Sequence, residues 1–549
     1  MTPETLAEKV LSATRAAFAD LGLDAAALPA KTTVERPRNP EHGDYASTIA
    51  MQVAKRAGTD PRALAQEIAG RLADAEGVAE VDIAGPGFLN VTLEAAAAGE
   101  IARRIVAAGT AYGYNESMEG RQVNLEFVSA NPTGPVHAGG TRWAAVGDAL
   151  ARVMRASGAK VVSEYYFNDA GSQIDTFSAS LLARAQGEPV PENGYGGAYI
   201  DRIAAEVLRR SPDALEAADP REVFRVHGVE LMFDQIKATL AEFGTHFDVY
   251  FNEKELHDKG ELDDAVERLS KEGRVFEADG ALWLRTSDLG DDKDRVLKKS
   301  DGSWTYFAAD CAYYLDKRER GFDKVVIMLG ADHHGYIGRM QAMSRAFGDE
   351  PGTLEILIGQ MVNLMREGKP VRMSKRAGTV VTLGDIIEAI GVDATRYALT
   401  RYSADSSIDL DIDLWTRHGN DNPVYYVQYA HARIAGVLRN AAELGLDRGG
   451  DYDAALLSHP RENELLKALA EFPAVVASAA ELREPHRIAR YAEDLAGAYH
   501  RFYTDCRVLP YPGEDLSETG RARLWLVEAT RVVLANALAL LGVTAPERM

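Results

Sequence analysis

The stretch QVNLEFVSANPTGPVHAGGTRWAAVGDALARVM, residues 122–154, joins an apolar strand pattern, a turn rich in proline and glycine, and a helical pattern. The helical part places Trp143, Leu150 and Val153 on one face, which is the spacing of an amphipathic helix. A second strand pattern, KVVSEYYF, follows at residues 160–167. This order of strand, helix and strand predicts a parallel sheet, with ligands bound at the carboxyl ends of its strands.

Two later apolar runs extend the predicted sheet. They are KVVIMLG at residues 324–330 and LEILIGQMV at residues 354–362. The stretch from about 180 to 300 between the two halves is polar and helical in pattern. The middle of the chain is therefore predicted to be a doubly wound α/β domain with an insertion at about 180–300.

The flanking regions have different patterns. Before the sheet, helical faces and the strand-like VAEVDIAGPGFLNVTL predict a small α/β domain, and the Gly-rich AAGTAYGYN at 107–115 marks its boundary. Beyond Trp415, long helical patterns such as PVYYVQYAHARIAGVLRNAAEL predict an all-α domain. The predicted domains span residues 1–112, 113–414 and 415–549.

Length and composition describe an ordinary multidomain protein. The 549 residues are 46 % hydrophobic and 26 % charged, and one core of that size would be unusually large. No uninterrupted apolar run reaches the ~20 residues that span a bilayer, and the start MTPETLAEKVL lacks the pattern of a signal peptide. We therefore expect a cytoplasmic protein without a membrane partner. Cys311 and Cys506 are expected to be reduced and buried, although one bridge is formally open.

The net charge of −22 argues against non-specific binding of nucleic acid, because phosphate attraction needs clustered basic residues. No DNA partner is expected. After Trp415 the charges come close to balance, and nearly all the basic residues are arginine. Arginine is the better residue for bidentate phosphate contacts, so an RNA-facing C-terminal region is permitted.

The turn NPTGPVHAGG, Asn131 to Gly140, lies where a strand ends and a helix begins. The first turn of a helix offers N–H groups to an anion, and His137 adds a side-chain donor. Taken alone, a Gly/Pro turn with a capping function explains the segment as well as a phosphate site does.

A second candidate, VRMSKRAGTVVTL at 371–383, concentrates Arg372, Lys375 and Arg376 in a short segment. Such a basic segment can neutralise the charge that develops as pyrophosphate leaves a triphosphate. The alternative is an ordinary solvated basic surface.

Together the two segments are far more specific. HAGG resembles the HIGH signature, and RMSKR the KMSKS signature, of class I aminoacyl-tRNA synthetases, in the expected order. EFVSANPTGPVH, NDAGSQI, GADHHGY, NPVYYVQYAHARI and the terminal APERM resemble arginyl-tRNA synthetases in particular. The resemblance covers essentially the whole chain. It implies a Rossmann-type catalytic domain, an N-terminal module that touches the tRNA elbow, and a helical anticodon-binding domain.

The resemblance also implies the reaction and its partners. Arginine is activated by ATP with Mg²⁺ to arginyl-adenylate, and the arginyl group then passes to the 2′-hydroxyl of the terminal adenosine of tRNA(Arg). The implied catalytic residues are His137 and Lys375. The implied ATP-binding residues are Asn131, Pro132, Thr133, Gly134, Pro135, His137, Gly139, Gly140, His333, Met373, Ser374 and Lys375. We expect a monomer.

This sequence departs from the family signatures at two positions. Gly140 stands where HIGH has its second histidine, which removes one side-chain donor from the phosphates. Arg372 stands where KMSKS has its first lysine, which keeps the charge. Lys375, the lysine of the signature that usually matters more, is present.

For the amino-acid pocket, the resemblance implies Glu126, Asn131, Tyr306 and Asp310. A guanidinium is a planar cation with five donors, so carboxylates and planar acceptors suit it. Tyr306 and Asp310 are four residues apart and share a face if that stretch is helical. From the residues alone, Glu126 reads as a paired structural carboxylate.

Two further groups of residues are open to more than one interpretation. Adjacent side chains such as His333 and His334 diverge, so they suit hydrogen bonding better than shared metal binding, and no zinc is expected. Tyr425 and Tyr429 are implied by the resemblance to bind tRNA, whereas aromatic residues at helical spacing more often form a helix core.

Two other functions remain as alternatives. Gly140 is the feature that would fit a non-catalytic tRNA-binding relative, although Lys375 and the arginine pocket argue against one. A nucleotidyltransferase that binds no RNA is disfavoured by the helical C-terminal domain.

Overall fold

A computed structural model describes residues 1–37, 42–371 and 381–549 of the protein. Its first unit is a small sheet in the order β1-β3-β2, with antiparallel pairing, covered by helices. Asp60 caps α3 by accepting the N–H of Ala63. The elements are α1 Pro3–Leu21, β1 Tyr45–Ser47, α2 Ile49–Ala57, α3 Pro61–Ala73, β2 Val78–Ala84 and β3 Phe88–Leu93.

The next helix, α4 (Ala95–Ala108), belongs to the large core rather than to the first unit. It packs against the helices Pro460–Ala470 and Glu518–Leu541 near the end of the chain. Its residues Ile101 and Ile105 are buried in the same hydrophobic cluster as the central sheet. This packing favours a domain boundary close to residue 94, and the boundary at 112 stays a prediction.

The central sheet has five parallel strands in the order β11-β10-β4-β5-β6. The apolar runs at 324–330 and 354–362 supply β10 and β11, although the second run stops as a strand at Gly359. In chain order the elements are β4 Gln122–Glu126, α5 Ala138–Ala156, β5 Lys160–Phe167, α6 Ser172–Ala185, α7 Ala198–Arg210, α8 Pro220–Glu242, β6 Val249–Asn252, α9 Lys254–Asp258, α10 Glu261–Lys271, β7 Val275–Ala278, β8 Ala281–Leu284, β9 Arg295–Lys298, α11 Tyr306–Glu319, β10 Lys324–Gly330, α12 Tyr336–Ala346 and β11 Leu354–Gly359.

The stretch from 180 to 300 is not wholly an insertion. Its strand β6 pairs in parallel with β5 and forms an edge of the central sheet. The antiparallel sheet β7-β8-β9 after β6 is separate, whereas the helices α6, α7 and α8 before β6 pack into the same hydrophobic core as the central sheet. The strand escaped the sequence pattern because it has four residues, of which Phe251 alone is buried.

A second small sheet follows the central one. Its order is β13-β12-β14, with β12 and β14 parallel. Residues 372–380, between β13 and α13, are outside the described part of the chain. The elements are β12 Val362–Arg366, β13 Lys369–Pro370, α13 Leu383–Ile390, α14 Val392–Thr400, β14 Ile408–Asp411 and α15 Ile412–Trp415.

The C-terminal region is helical, as predicted. It comprises α16 Pro423–Glu443, α17 Pro460–Ala470, α18 Phe472–Glu481, α19 His486–Asp505 and α20 Glu518–Leu541. By length and composition α20 would suffice to cross a membrane, but 72 % of its most apolar window is buried inside the molecule. It is a core helix. Cys311 and Cys506 are both free and buried.

Candidate active site

The carboxyl end of β4 carries a strained turn. Val128 and Ser129 have φ values of 70° and 40°, a region that a β-branched residue such as valine rarely adopts. Ser129 Oγ donates to Glu126 Oε1 at 3.1 Å and accepts the N–H of Tyr166 at 3.2 Å. The turn is thereby fixed to both β4 and β5, at the edge of the sheet where ligands are expected.

The loop after this turn is held by neighbouring loops. Asn131 Oδ1 accepts the N–H of Asn168 at 2.9 Å, and its Nδ2 donates to Gln173 at 3.0 Å. Tyr199 donates its hydroxyl to the carbonyl of Thr133 at 3.1 Å. Both ends of the Asn131 amide are therefore engaged within the protein, and its contacts with ATP and arginine stay predictions.

The predicted ATP-binding residues of this loop are not equally accessible. Pro132 and Thr133 are buried, Gly134 and Pro135 are half-buried, and His137 is exposed. Buried side chains in a loop fix its shape rather than bind a ligand directly. The exposed end of the loop, at His137, is therefore the part that a ligand can reach.

His137 is the N-cap of α5. Its Nδ1 accepts the N–H of Gly139 at 3.2 Å, which places the proton of a neutral ring on Nε2. The N–H of Ala138 donates to Val381. Because the first N–H groups of α5 are engaged in this way, the predicted phosphate contact of the Gly139 backbone requires the His137 ring to turn.

The local packing suits a glycine at position 140. A Cβ added there would lie 3.1 Å from Cγ1 of Val136 and 3.8 Å from Cγ1 of Val128. A histidine at this position would have to displace the Val136 methyl group slightly. The departure from the HIGH signature therefore matches its surroundings.

The end of the KMSKS-like segment lies beside the HIGH-like turn. Leu383 donates its N–H to Val136 O at 2.7 Å, and Ala138 donates to Val381 O at 3.2 Å. Thr382 then starts α13 with a capping box shared with Asp385. Of the predicted residues, Met373, Ser374 and Lys375 lie outside the described residues, and their roles stay predictions.

A buried charge network lies beneath the turn. Lys317 is fully buried, and its Nζ lies 2.5 Å from Glu126 Oε2 and 3.7 Å from Glu164 Oε1. Burial disfavours the charge of Glu164, but Lys317, Arg320 and Tyr313 outweigh it and lower its pKa to about 2. Both oxygens of Glu126 have protein partners, which supports its structural interpretation. Its contact with a guanidinium stays a prediction.

Asp310 differs from Glu126 because it forms no ion pair with a described residue, although the charge of Arg339 acts on it through space. It lies on α11 one turn after Tyr306, which is 78 % exposed at the start of the helix, so the predicted shared face exists. No hydrogen bond or ion pair joins the Asp310 carboxyl to any residue in the described ranges. Burial and the charges of Glu253 and Glu126 raise its pKa to about 7.

Glu126, Glu253 and Asp310 form what we call the acidic cluster. Glu253 directly follows β6, and its Oε2 accepts the hydroxyl of Tyr166 at 2.5 Å. Carboxylates brought together by burial repel each other, and a bound cation relieves that repulsion. The cluster therefore favours a cationic ligand.

The kcat/KM for arginine is expected to fall as the pH decreases through about 7, the pKa of Asp310 in the ligand-free protein. Only the carboxylate form attracts a guanidinium, so each unit below that pKa should lower kcat/KM nearly tenfold. Initial rates from about pH 5.5 to about pH 8.5 measure this. The kcat/KM of the Asp310→Asn variant should not show this fall. A wild-type enzyme whose kcat/KM also shows no fall in this range would contradict the role of Asp310 in binding arginine.

His333 lies in the turn after β10, at the same edge of the sheet, and is exposed. Its ring meets that of Tyr336 at a centroid distance of 5.6 Å. This position is compatible with its predicted contact with ATP. Within the ranges that the structure describes, no group of three or more His, Cys, Asp or Glu residues could hold a metal ion.

Tyr425 and Tyr429 are half-buried on α16 rather than sealed in the core. Their rings stack with centroids 5.9 Å apart and 6° between planes. His418 packs edge-on against Tyr425, and Arg433 lies over both Tyr429 and Tyr503. We call this row the aromatic ladder. Aromatic faces next to arginine are typical of surfaces that bind single-stranded RNA.

The first unit contains a cavity of about 410 Å³, lined in part by Arg36, Phe88 and Asn90. Phe88 is 38 % exposed, which is unusual for a large apolar side chain at the end of a loop. A basic, an amide and an aromatic side chain around one cavity suit an unstacked base.

Sequence reasoning missed Glu253, Tyr166 and Lys317. The strand-like run DVYFNE ends at Glu253, much as the run VNLEF contains Glu126. That run was the sequence signal from which Glu253 could have been identified. No local sequence pattern identifies Lys317, because Glu126, with which it pairs, is 191 positions away in sequence.

Comparison with known protein families gives three matches. The arginyl tRNA synthetase N terminal domain matches residues 4–93, and the catalytic domain of class I (R) tRNA synthetases matches residues 202–401. The DALR anticodon binding domain matches residues 427–549.

Individual relatives agree with these matches. The arginine–tRNA ligase of Kineococcus radiotolerans is 62 % identical over 554 residues, and the match covers 100 % of both chains. An arginyl-tRNA synthetase structure from Campylobacter jejuni has a TM-score of 0.76 at 33 % identity, covering 83 % of this chain and 100 % of that one. Thermus thermophilus arginyl-tRNA synthetase shares the fold, with a TM-score of 0.77 at 24 % identity over 100 % of both chains. The chain therefore belongs to the arginyl-tRNA synthetases, a family of class I aminoacyl-tRNA ligases.

Proposed function

We propose that the acidic cluster binds the guanidinium of L-arginine while the turn at His137 binds ATP. The observation that carries this proposal is Asp310, a half-buried carboxyl that forms no hydrogen bond or ion pair in the described ranges. Burial and the charges of Glu253 and Glu126 raise its pKa to about 7, and the charge of Arg339 opposes that rise without cancelling it. A guanidinium would supply the missing charge. Family membership identifies the ligand as arginine.

In the first step, the α-carboxylate of arginine attacks the α-phosphorus of ATP in line, and pyrophosphate leaves. The protein positions the reactants and stabilises charge rather than forming a covalent bond. We assign phosphate contacts to His137 Nε2 and stabilisation of the leaving pyrophosphate to Lys375. Mg²⁺ enters bound to ATP, because phosphate oxygens are ligands that it prefers.

In the second step, the arginyl group passes to the 2′-hydroxyl of the terminal adenosine of tRNA(Arg). Tyr429, Arg433 and Tyr503 of the aromatic ladder lie within residues 427–549, which match an anticodon binding domain, and Tyr425 lies two residues before that region. The aromatic ladder supports base stacking there. The cavity beside Phe88 supports a contact with an unstacked base of the tRNA elbow. We propose that the enzyme acts in the cytoplasm as a monomer.

Exchange of labelled pyrophosphate into ATP is expected to require arginine and to be slight without tRNA(Arg). The RNA-binding surfaces and the acidic cluster lie on different domains, so bound tRNA can complete the site by induced fit. Exchange should be measured with and without each substrate. Full exchange without tRNA would remove the induced-fit step. No exchange under any condition would favour a non-catalytic tRNA-binding protein, and exchange that does not depend on arginine would favour a nucleotidyltransferase.

A further inference from the structure

We propose that Arg142 is a positioning residue for adenylate formation, because it fastens the small sheet β13-β12-β14 to the first turns of α5. Arg142 lies in α5 five residues after His137, and it is 1 % exposed. The inference rests on the proposed ATP chemistry at His137. It concerns how two separate parts of the chain are held in register there.

The guanidinium of Arg142 donates hydrogen bonds to three backbone carbonyls in two loops. Its Nη1 donates to Gln360 O at 2.9 Å and to Ser406 O at 2.7 Å, and its Nη2 donates to Ser403 O at 2.7 Å. A planar fork with donors at fixed angles can hold several acceptors at once, which a lysine ammonium cannot reproduce. The three contacts define one geometry between α5 and both loops.

These carbonyls stand at the base of the small sheet. Gln360 comes just before β12, and Ser406 comes just before β14, its parallel neighbour. The hairpin β12-β13 then leads in sequence into RMSKR, which begins at Arg372. Arg142 therefore fixes the position of the small sheet whose hairpin β12-β13 precedes the basic segment in sequence.

The chain directly after the basic segment is also hydrogen-bonded to the start of α5 and the loop before it. Val381 and Leu383, directly after the basic segment, exchange backbone hydrogen bonds with Ala138 and Val136. Gln360, before the basic segment, and Val381 and Leu383, after it, are thus all hydrogen-bonded to the first turns of α5 or to the loop that leads into it. The described chain on both sides of the basic segment is therefore fixed relative to His137.

The site is not built for stability alone. The Nε of Arg142 is buried and has no hydrogen-bond partner within the described ranges, and an unmet buried donor destabilises a fold. Burial also lowers the pKa of Arg142 to about 10, while Asp405 opposes this effect. Replacing Arg142 would also leave the carbonyls of Gln360, Ser403 and Ser406 without this donor, which destabilises a fold, so the melting temperature of each variant is measured beside its rate.

The test compares Arg142→Lys and Arg142→Met with the wild-type enzyme in pyrophosphate exchange at saturating tRNA. We expect kcat to fall about 10- to 100-fold, because small displacements of a catalytic group have effects of this size. The KM for arginine should stay within about twofold, because the acidic cluster does not involve Arg142. Arg155→Met is the matched control, since Arg155 also donates to a backbone carbonyl, Val161 O, but at the far end of α5. Its kcat should stay near that of the wild type.

A milder variant keeps the test decisive if both Arg142 variants unfold. Asp405→Asn removes an exposed carboxylate whose charge supports Arg142, and it should lower kcat about two- to threefold without changing the melting temperature. A folded Arg142→Lys with wild-type kcat would overturn the proposal. Equal losses in arginine KM and kcat would also overturn it, because they would indicate general distortion. Wild-type exchange is measured in the same series, so failure of the proposed function would be seen separately.

Discussion

Replacement of Asp310 by asparagine is expected to lower kcat/KM for arginine by at least about 100-fold, equivalent to ~3 kcal/mol. The amide keeps the shape of the carboxyl but cannot neutralise a guanidinium. The pKa of Asp310, raised to about 7 by burial, Glu253 and Glu126, shows that the site disfavours a negative charge until a cation arrives. Arginine binding supplies that cation, and the variant loses this gain.

The same variant should narrow the gap between arginine and citrulline. Citrulline is nearly isosteric with arginine but neutral, so in the wild-type site it leaves a carboxylate without its cation. Lysine keeps the charge but lacks the planar fork and leaves acceptors unpaired. Steady-state exchange with all three amino acids measures both effects. The matched control is Asp316→Asn, because Asp316 lies on the same helix but is paired with Arg320 at 2.8 Å. If Asp310→Asn kept the wild-type selectivity for arginine over citrulline, Asp310 would have a structural role only.

Replacement of Lys375 by alanine is expected to lower the single-turnover rate of adenylate formation about 100-fold or more while changing arginine affinity little. The position matches the more important lysine of the KMSKS signature. Its charge is needed only as pyrophosphate leaves, and stabilisation of that kind appears in the rate rather than in ground-state binding.

The control for this variant is Lys369→Ala, which removes an exposed lysine of β13 in the strand that leads into the same segment. That change should leave the rate within about twofold, since surface charges contribute little. If Lys375→Ala activated arginine at the wild-type rate, the assignment of Lys375 to pyrophosphate would be wrong. Equal losses in both variants would point to the net charge of the segment instead.

The sequence predicted those parts of the fold that depend on local pattern. The strands β4 and β10 have most of their residues buried, β5 has half of them buried, β11 is apolar and mostly half-buried, and α5 repeats apolar residues at helical spacing. Strand β6 was missed because a short edge strand buries little of its surface. The position of α4 was missed because it depends on helices that come hundreds of residues later.

The site was predictable to the extent that it lies in contiguous motifs. The HIGH-like turn follows β4, and Tyr306 and Asp310 lie one turn apart on α11, while their roles stay predictions. The electrostatics of the site were not predictable, because Glu126 on β4 pairs with Lys317 on α11, and Glu253, which follows β6, acts on Asp310 of α11. Which carboxylate is available to a cation is decided by such contacts between distant parts of the chain.

The packing of α4 against α20 sets the order in which the chain can complete its structure during synthesis. Asn536 in α20 donates to the carbonyl of Gly109, 427 residues earlier in the chain. At ~5–20 residues per second, the ribosome needs roughly 20–90 s to make that interval. The apolar face of α4, with Ile101 and Ile105, therefore cannot pack against α20 until most of the chain has been translated. Exposed apolar surface of this kind makes an incomplete chain prone to aggregation, and the final core forms only after α20 has left the ribosome.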